Sequence, residues 1–360
     1  MTKDVGINQF EKPLIIAGPC SAESETQMLE IAEKLDKNYV QVFRAGIWKP
    51  RTKPNSFEGV GAIGLKWLKK VKEEFGFIIA TEVATANHVK LAVEHDVDWL
   101  WIGARSTANP FTVQEIAEAL KNTDKTVLVK NPVNPDLELW IGAIERLQSQ
   151  SVQKIGAVHR GFSTYKKTKY RNNPQWQIAL DFMDKMPGIP MVCDPSHICG
   201  NREGIFDVAQ QAFNFEYNGL MIETHNNPDQ AWSDAKQQIT PENLLEILKK
   251  LELRKSNDED TFYHSQLNLL RNEIDETDQS ILEMLAQRMA VSLKIGELKK
   301  EHNVAIYQPE RWKTIRENAI EQGKKLGLSD EFIDKLIKSV HQESILHQNQ
   351  IMNNENPLKP

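Results

Sequence analysis

Cysteine is scarce in this chain: three in 360 residues, Cys20, Cys193 and Cys199. That is too few for a disulfide framework and suits a reducing compartment. No apolar run approaches the length of a membrane helix, and the opening MTKDVGINQFEKP lacks the apolar core of a secretion signal. These absences lead us to expect a cytoplasmic protein with no membrane partner. Surplus positive charge is missing too, since the formal net charge is −6, so nucleic acid is not an expected partner. An anion site must then be a local basic pocket in an acidic protein. The Gly-rich phosphate turn of a doubly wound dinucleotide fold is absent after the first apolar run.

What is present is ordinary globular composition, 40% hydrophobic and 26% charged, with length enough for two domains. Eight short apolar runs recur between amphipathic stretches: Leu14–Ala17, Val40–Arg44, Phe77–Glu82, Trp99–Ala104, Thr126–Lys130, Lys154–His159, Pro190–Asp194 and Gly219–Glu223. Runs of this kind read as parallel strands with crossover helices, an α/β class. Eight is the number that closes a (β/α)8 TIM barrel, with its active site on the loops after the strands.

Those strand ends carry chemistry in turn: Cys20 with Ser21, Arg44, Glu82, Arg105, Lys130, His159 with Arg160, Asp194 with His197, and Glu223 with His225. Any one of these cations is an ordinary salt-bridge partner, but a barrel would bring all of them to one rim. After Arg44 the loop FRAGIWKPRTKP places Lys49, Arg51, Thr52 and Lys53 within five positions, stiffened by Pro50 and Pro54. Guanidinium and ammonium groups on a held loop suit phosphate and carboxylate oxygens. Arg44, Lys49, Arg105, Lys130 and Arg160 together suit two phosphorylated anions. Cys20, His197, Glu223 and Asp234 make a mixed S/N/O donor set able to hold a borderline divalent ion such as Mn2+, Fe2+, Co2+ or Zn2+.

The motifs Gly18-Pro-Cys-Ser21, KPRT at Lys49–Thr52, GAR at Gly103–Arg105, Lys130, HRG at His159–Gly161, DPSH at Asp194–His197 and Glu223 resemble 3-deoxy-D-arabino-heptulosonate 7-phosphate (DAHP) synthase. The resemblance covers about Leu14 to Ile239 and is to the compact subfamily shared with 3-deoxy-D-manno-octulosonate 8-phosphate (KDO8P) synthase. It implies metal ligands at Cys20, His197, Glu223 and Asp234. It implies phosphoenolpyruvate against Arg44, Lys49, Arg105, Lys130 and Arg160, with His159 also substrate-binding and Lys49, Glu82, Lys130 and His197 counted as catalytic. Glu82 would order a water near the enol carbon. Arg51 and Thr52 would grip the aldose phosphate, and this Arg-Thr favours erythrose 4-phosphate over the arabinose 5-phosphate of the sister enzyme.

The pattern changes after residue 250. We expect a barrel domain over 1–250, a polar linker over 251–261 and an all-helical domain over 262–360. Leu267, Leu270, Ile274, Ile281, Leu285, Val291, Ile295 and Leu298 mark the apolar face of one helix roughly 60 Å long. A second helix is expected from Glu310 to Lys325, and Ser329 caps a third. Such a bundle on its own reads as an oligomerisation module. Its cations ask for more, since Arg288 and Lys299 share one helical face to within about 20°. Arg271 lies roughly 25 Å from Arg288 along the same helix, so only a second copy brings it to one ligand.

Residues 262–352 resemble the all-helical chorismate mutase family. The resemblance implies a site of Arg288, Lys299, Arg311, Ser344 and Gln348, completed by Arg271 of a partner subunit in a homodimer or higher homo-oligomer. Arginines would clamp both carboxylates of chorismate, while Lys299 and Gln348 would act catalytically on the ether oxygen. Gln308 and Trp312 stand where that family often has carboxylates. The expected protein is thus a bifunctional enzyme of aromatic amino acid biosynthesis, with prephenate or chorismate feeding back on the barrel. The alternatives are a non-catalytic, effector-sensing helical domain and a barrel that makes the eight-carbon sugar acid phosphate.

Overall fold

The structure is a computed structural model and describes residues 13–50, 57–165, 168–254 and 260–353. The chain divides into two compact units, Met1–Ser256 and Asn257–Pro360. Residues 255–259 of the expected linker, and both Arg51 and Thr52, lie outside the described residues.

In the first unit eight strands close a barrel: β1 (Leu14–Gly18), β2 (Val42–Arg44), β3 (Ile78–Val83), β4 (Trp99–Ile102), β5 (Thr126–Lys130), β6 (Ile155–His159), β7 (Met191–Cys193) and β8 (Gly219–Glu223). Every neighbour pair is parallel, and β8 returns to β1 with Leu14 opposite Gly219 and Gly18 opposite Glu223. The helices of this unit are α1 (Glu25–Lys34), α2 (Ile63–Phe75), α3 (Ala86–Glu94), α4 (Ala104–Thr107), α5 (Pro110–Leu120), α6 (Leu137–Ser149), α7 (Trp176–Lys185), α8 (Pro195–Cys199), α9 (Ile205–Asn214) and α10 (Pro241–Lys250). All eight expected runs are strands, with ends moved by two residues at most. Ala104, read as a strand end, instead opens α4.

Side chains alternate along each strand, so each strand feeds two cores. Leu14, Ile16, Val42, Ala80, Trp99, Trp101, Leu128, Val158, Val192 and Met221 fill the barrel, while their neighbours pack under the helices. The same two-residue step carries the inward face upward: Ile16 leads to Gly18 and Cys20, Val42 to Arg44, Ala80 to Glu82, Leu128 to Lys130, Val158 to Arg160, Val192 to Asp194 and Met221 to Glu223. The functional rim is thus the polar continuation of the barrel's own packing layers.

The second unit is α11 (Thr261–Glu301), α12 (Pro309–Lys325) and α13 (Asp330–Met352), with α13 packed on both others. Ser329 caps α13 by accepting from Phe332 N at 3.3 Å, and Pro309 at the first turn starts α12. Gly296 of α11 approaches α13 closely enough that a Cβ there would lie 3.2 Å from Gln348 Cα. Leu270, Ile274, Ile281, Val291, Ile295 and Leu298 of the α11 stripe are exposed within this chain.

Candidate active site and metal centre

Local sequence sets each ligand. Gly18 has φ +145, and a Cβ there would lie 2.1 Å from Arg44 O, so only glycine lets β1 end this close to β2. The turn that follows brings Cys20 under the Arg44 guanidinium, whose Nη2 donates to Cys20 O at 3.2 Å. At the end of β7 the DPSH run starts a helix. Asp194 is the N-cap, accepting from His197 N at 3.1 Å, with Pro195 at the first position. That cap fixes the imidazole three residues on. Gly103 acts through space rather than conformation, because a Cβ there would lie 2.1 Å from Glu82 Oε1.

The metal-ligand candidates converge. One atom each of Cys20, Glu223 and Asp234 lie within 4.8 Å of one another. Cys20 Sγ is 3.3 Å from Asp234 Oδ2 and 2.7 Å from Lys49 Nζ. His197 stands just outside that trio, with Nε2 3.7 Å from Glu223 Oε1. Its Nδ1 lies 2.8 Å from Asp194 Oδ2. Buried Glu223 Oε1 has no hydrogen-bond partner, while Oε2 accepts from Gln237 Nε2 at 2.7 Å. An unsatisfied buried carboxylate oxygen beside a thiol, a second carboxylate and an imidazole fits a borderline divalent ion.

The cations frame this trio. Arg44 is fully buried, 3.4 Å from Glu223 Oε1 through Nη1, and its guanidinium lies 4.7 Å from the Trp101 ring centre. Lys130 Nζ pairs with Asp194 Oδ2 at 2.7 Å and stands 5.8 Å from the same indole. Arg160 donates to Asn172 Oδ1 at 2.9 Å, and its backbone N–H to Asn131 Oδ1 at 2.7 Å. Burial lowers the Arg160 pKa to about 10, and the positive charges of Arg171 and Arg105 add to that.

Electrostatics follow burial. Burial pushes the Cys20 thiol up to about 12, and Glu223 adds to it against Lys49. Burial also raises Asp194, but the facing His197 and Lys130 outweigh it and hold the carboxyl well below its usual range. Asp234 is likewise held low, its burial outweighed by Arg171, His197 and Lys49.

His159 departs from expectation as a substrate group. It shares the outward parity of Ile155 and Ala157, and both ring nitrogens are occupied: Nε2 by Pro174 O at 2.7 Å, Nδ1 by Tyr217 Oη at 3.0 Å. Trp140, Phe162 and Trp176 surround it. It is a hydrogen-bonded core residue, and burial lowers its pKa to about 4. Two residues were missed by sequence reasoning. Trp101 had its inward parity as a signal, whereas Arg171, on the β6–α7 loop, had none.

In the helical unit Arg288 donates to Ser344 Oγ and, at 3.4 Å, to Val340 O. Gln348 Nε2 donates to Ser344 O at 3.3 Å, and its Oε1 is buried without a partner. Lys299 Nζ donates to Ile306 O at 2.5 Å. Trp312 stacks on His341 at 4.0 Å between ring centres. Burial lowers the His341 pKa, and the positive charges of Arg288 and Lys299 lower it further. Arg271 and Arg311 are exposed. The chain therefore gathers Arg288, Ser344 and Gln348, and leaves Arg271 on the surface of the long helix.

Comparison with known proteins agrees with both units. Residues 2–257 match the DAHP synthetase I family, and residues 270–349 match chorismate mutase type II. A phospho-2-dehydro-3-deoxyheptonate aldolase of Thermotoga maritima is 30% identical over 237 residues, 66% of this chain and 68% of that protein. A 2-dehydro-3-deoxyphosphooctonate aldolase of Geobacter sulfurreducens is 28% identical over 277 residues, 70% of this chain and 97% of that protein. The crystal structure of a Thermotoga maritima DAHP synthase superposes with a TM-score of 0.60 at 27% identity, covering 68% of this chain and 70% of that one.

Proposed function

We propose two activities from one premise: the chain belongs to the DAHP synthetase I family, with a chorismate mutase type II region after the barrel. The barrel condenses phosphoenolpyruvate with erythrose 4-phosphate to DAHP and phosphate. The observation that carries this reading is the meeting of Cys20, Glu223 and Asp234 within 4.8 Å beside the buried cations Arg44 and Lys130.

Arg44 and Lys130, fixed against Trp101, offer fixed charges to the phosphate and carboxylate of phosphoenolpyruvate. Lys49, Arg105 and Arg160 complete that anion site. The enol carbon attacks the aldehyde carbon, water adds to the cationic carbon that results, and phosphate leaves with cleavage of its C–O bond. Glu82, aimed inward above Ala80, orders that water. Cys20, His197, Glu223 and Asp234 would hold a divalent ion, Mn2+ first, which would supply Lewis-acid polarisation of the aldehyde. Holding two anions in attack geometry is itself worth several kcal/mol of barrier, on the order of 7–11 at best.

Support for the four-carbon aldose comes from the Arg51–Thr52 pair of the sequence and from the mutase region, which belongs to the same pathway. Supplying each aldose phosphate in turn tests it. Phosphate release with erythrose 4-phosphate is expected, and release with arabinose 5-phosphate alone overturns it.

The helical unit rearranges chorismate to prephenate. Arg288 and Arg311 bind its carboxylates with Arg271 of a partner copy, and Ser344 holds Arg288 in place. Lys299 and Gln348 meet the ether oxygen, where charge grows as the C–O bond breaks. Prephenate bound there lowers synthase activity. The stacking of Trp312 on His341, at a position where the resemblance leads one to expect a carboxylate, favours a second reading in which this unit senses the acid without turning it over. Loss of chorismate catalysed by the native chain and abolished by Arg288→Ala supports the first reading. Binding without loss supports the second.

A further inference from the structure

The loop between β6 and α7 makes no use of strand or helix geometry, yet Arg171 on it touches one of the four metal-ligand candidates, Asp234, and reaches a second, Glu223, through Gln237. Its Nη1 donates to Asp234 Oδ1 at 2.8 Å and to Gln237 Oε1 at 2.7 Å. Gln237 passes the restraint on, donating through Nε2 to Glu223 Oε2 at 2.7 Å. One guanidinium thus fixes the outer oxygens of both carboxylates and leaves Asp234 Oδ2 facing Cys20 and Glu223 Oε1 without a hydrogen bond.

Asp234 needs such a hold. Its backbone is left-handed, with φ 48 and ψ 35, a region that a non-glycine residue adopts at some cost. Arg171 is itself held. Its backbone N–H donates to Cys199 O at 3.2 Å, and the next N–H, of Asn172, donates to Ile198 O at 3.1 Å. Its stem crosses Gly200, where a Cβ would lie 2.4 Å from Arg171 Cβ. Asn172 extends the clasp, accepting from Arg160 at 2.9 Å and donating to His197 O at 2.6 Å.

Resting on the reading that this site takes a divalent ion, we infer that Arg171 is a positioning residue for that ion, orienting Asp234 directly and Glu223 through Gln237. Two effects oppose each other when it is removed. Loss of orientation weakens binding, and loss of a nearby positive charge strengthens it. The orientation effect wins here, because the hydrogen bonds fix both carboxylates whereas the guanidinium is half exposed and its charge screened.

The test is Mn2+ binding to the metal-stripped full chain, followed by the electron paramagnetic resonance signal of the free ion, with thermal unfolding as a fold check. The native chain binds about one equivalent. Arg171→Ala binds on the order of 10-fold or more weakly with an unchanged melting temperature, and Arg171→Lys falls between the two. Arg171→Ala binding as tightly as the native chain, or more tightly, overturns the inference. No binding by the native chain overturns the metal reading instead.

Discussion

At the top of β6 two neighbouring residues face opposite ways, Arg160 into the barrel and His159 into an aromatic shell. His159 is buried with its pKa lowered to about 4, against a reference of 6.5 when unfolded. Above 6.5 both states leave it neutral. Below 6.5 the unfolded chain takes up a proton that the folded chain refuses, so stability is lost as pH falls from 6.5 towards about 4. Urea midpoints at pH 7 and pH 5 check this. The native chain loses more stability between them than His159→Gln does, and equal losses contradict the assignment. Trp101 shows the other parity. Its indole lies against both Arg44 and Lys130, and such contacts are worth about 1–2 kcal/mol when desolvated. Trp101→Leu should raise the KM for phosphoenolpyruvate by roughly 5- to 30-fold while leaving the KM for the aldose phosphate near its native value. An unchanged phosphoenolpyruvate KM removes Trp101 from the site.

The elements were legible where a period of two or of 3.6 ran for several residues. β1, β5 and β8, with Val, Ile and Leu in uninterrupted runs, end within a residue of the expected positions, and so does α12. The five-residue α8 was hidden because DPSH is a cap and a single turn, too short to show periodicity, yet that turn fixes His197 on Asp194. The β6–α7 loop gave no signal, because Arg171 and Asn172 work through backbone pairing with residues distant in sequence. Parity along β6 was readable and, applied to His159, would have placed it in the shell. On α11 the apolar stripe is exposed along a helix of 41 residues, as the proposed pairing with a second copy of this chain requires. Ile281→Asp should then halve the mass measured by sedimentation and lower chorismate turnover at least 10-fold, because Arg271 no longer reaches the site. Turnover that survives in a monomeric variant excludes a contribution from the partner.

Over the whole molecule the net charge is −6, yet each unit holds buried or half-buried cations in its candidate site, Arg44 and Lys130 in the barrel and Arg288 in the helical unit. Two catalytic regions of one pathway on a single chain suggest control of the first by the product of the second. With Arg288→Ala in the full chain, prephenate should no longer lower synthase activity, while the uninhibited rate stays native. Inhibition that persists unchanged means that the effector binds elsewhere. The most direct test of the account as a whole is phosphate release from phosphoenolpyruvate and erythrose 4-phosphate, measured before and after metal is stripped by a chelator and again after Mn2+ is restored. The account predicts a rate that falls to background on stripping and recovers with Mn2+. A full rate in the stripped protein would contradict it.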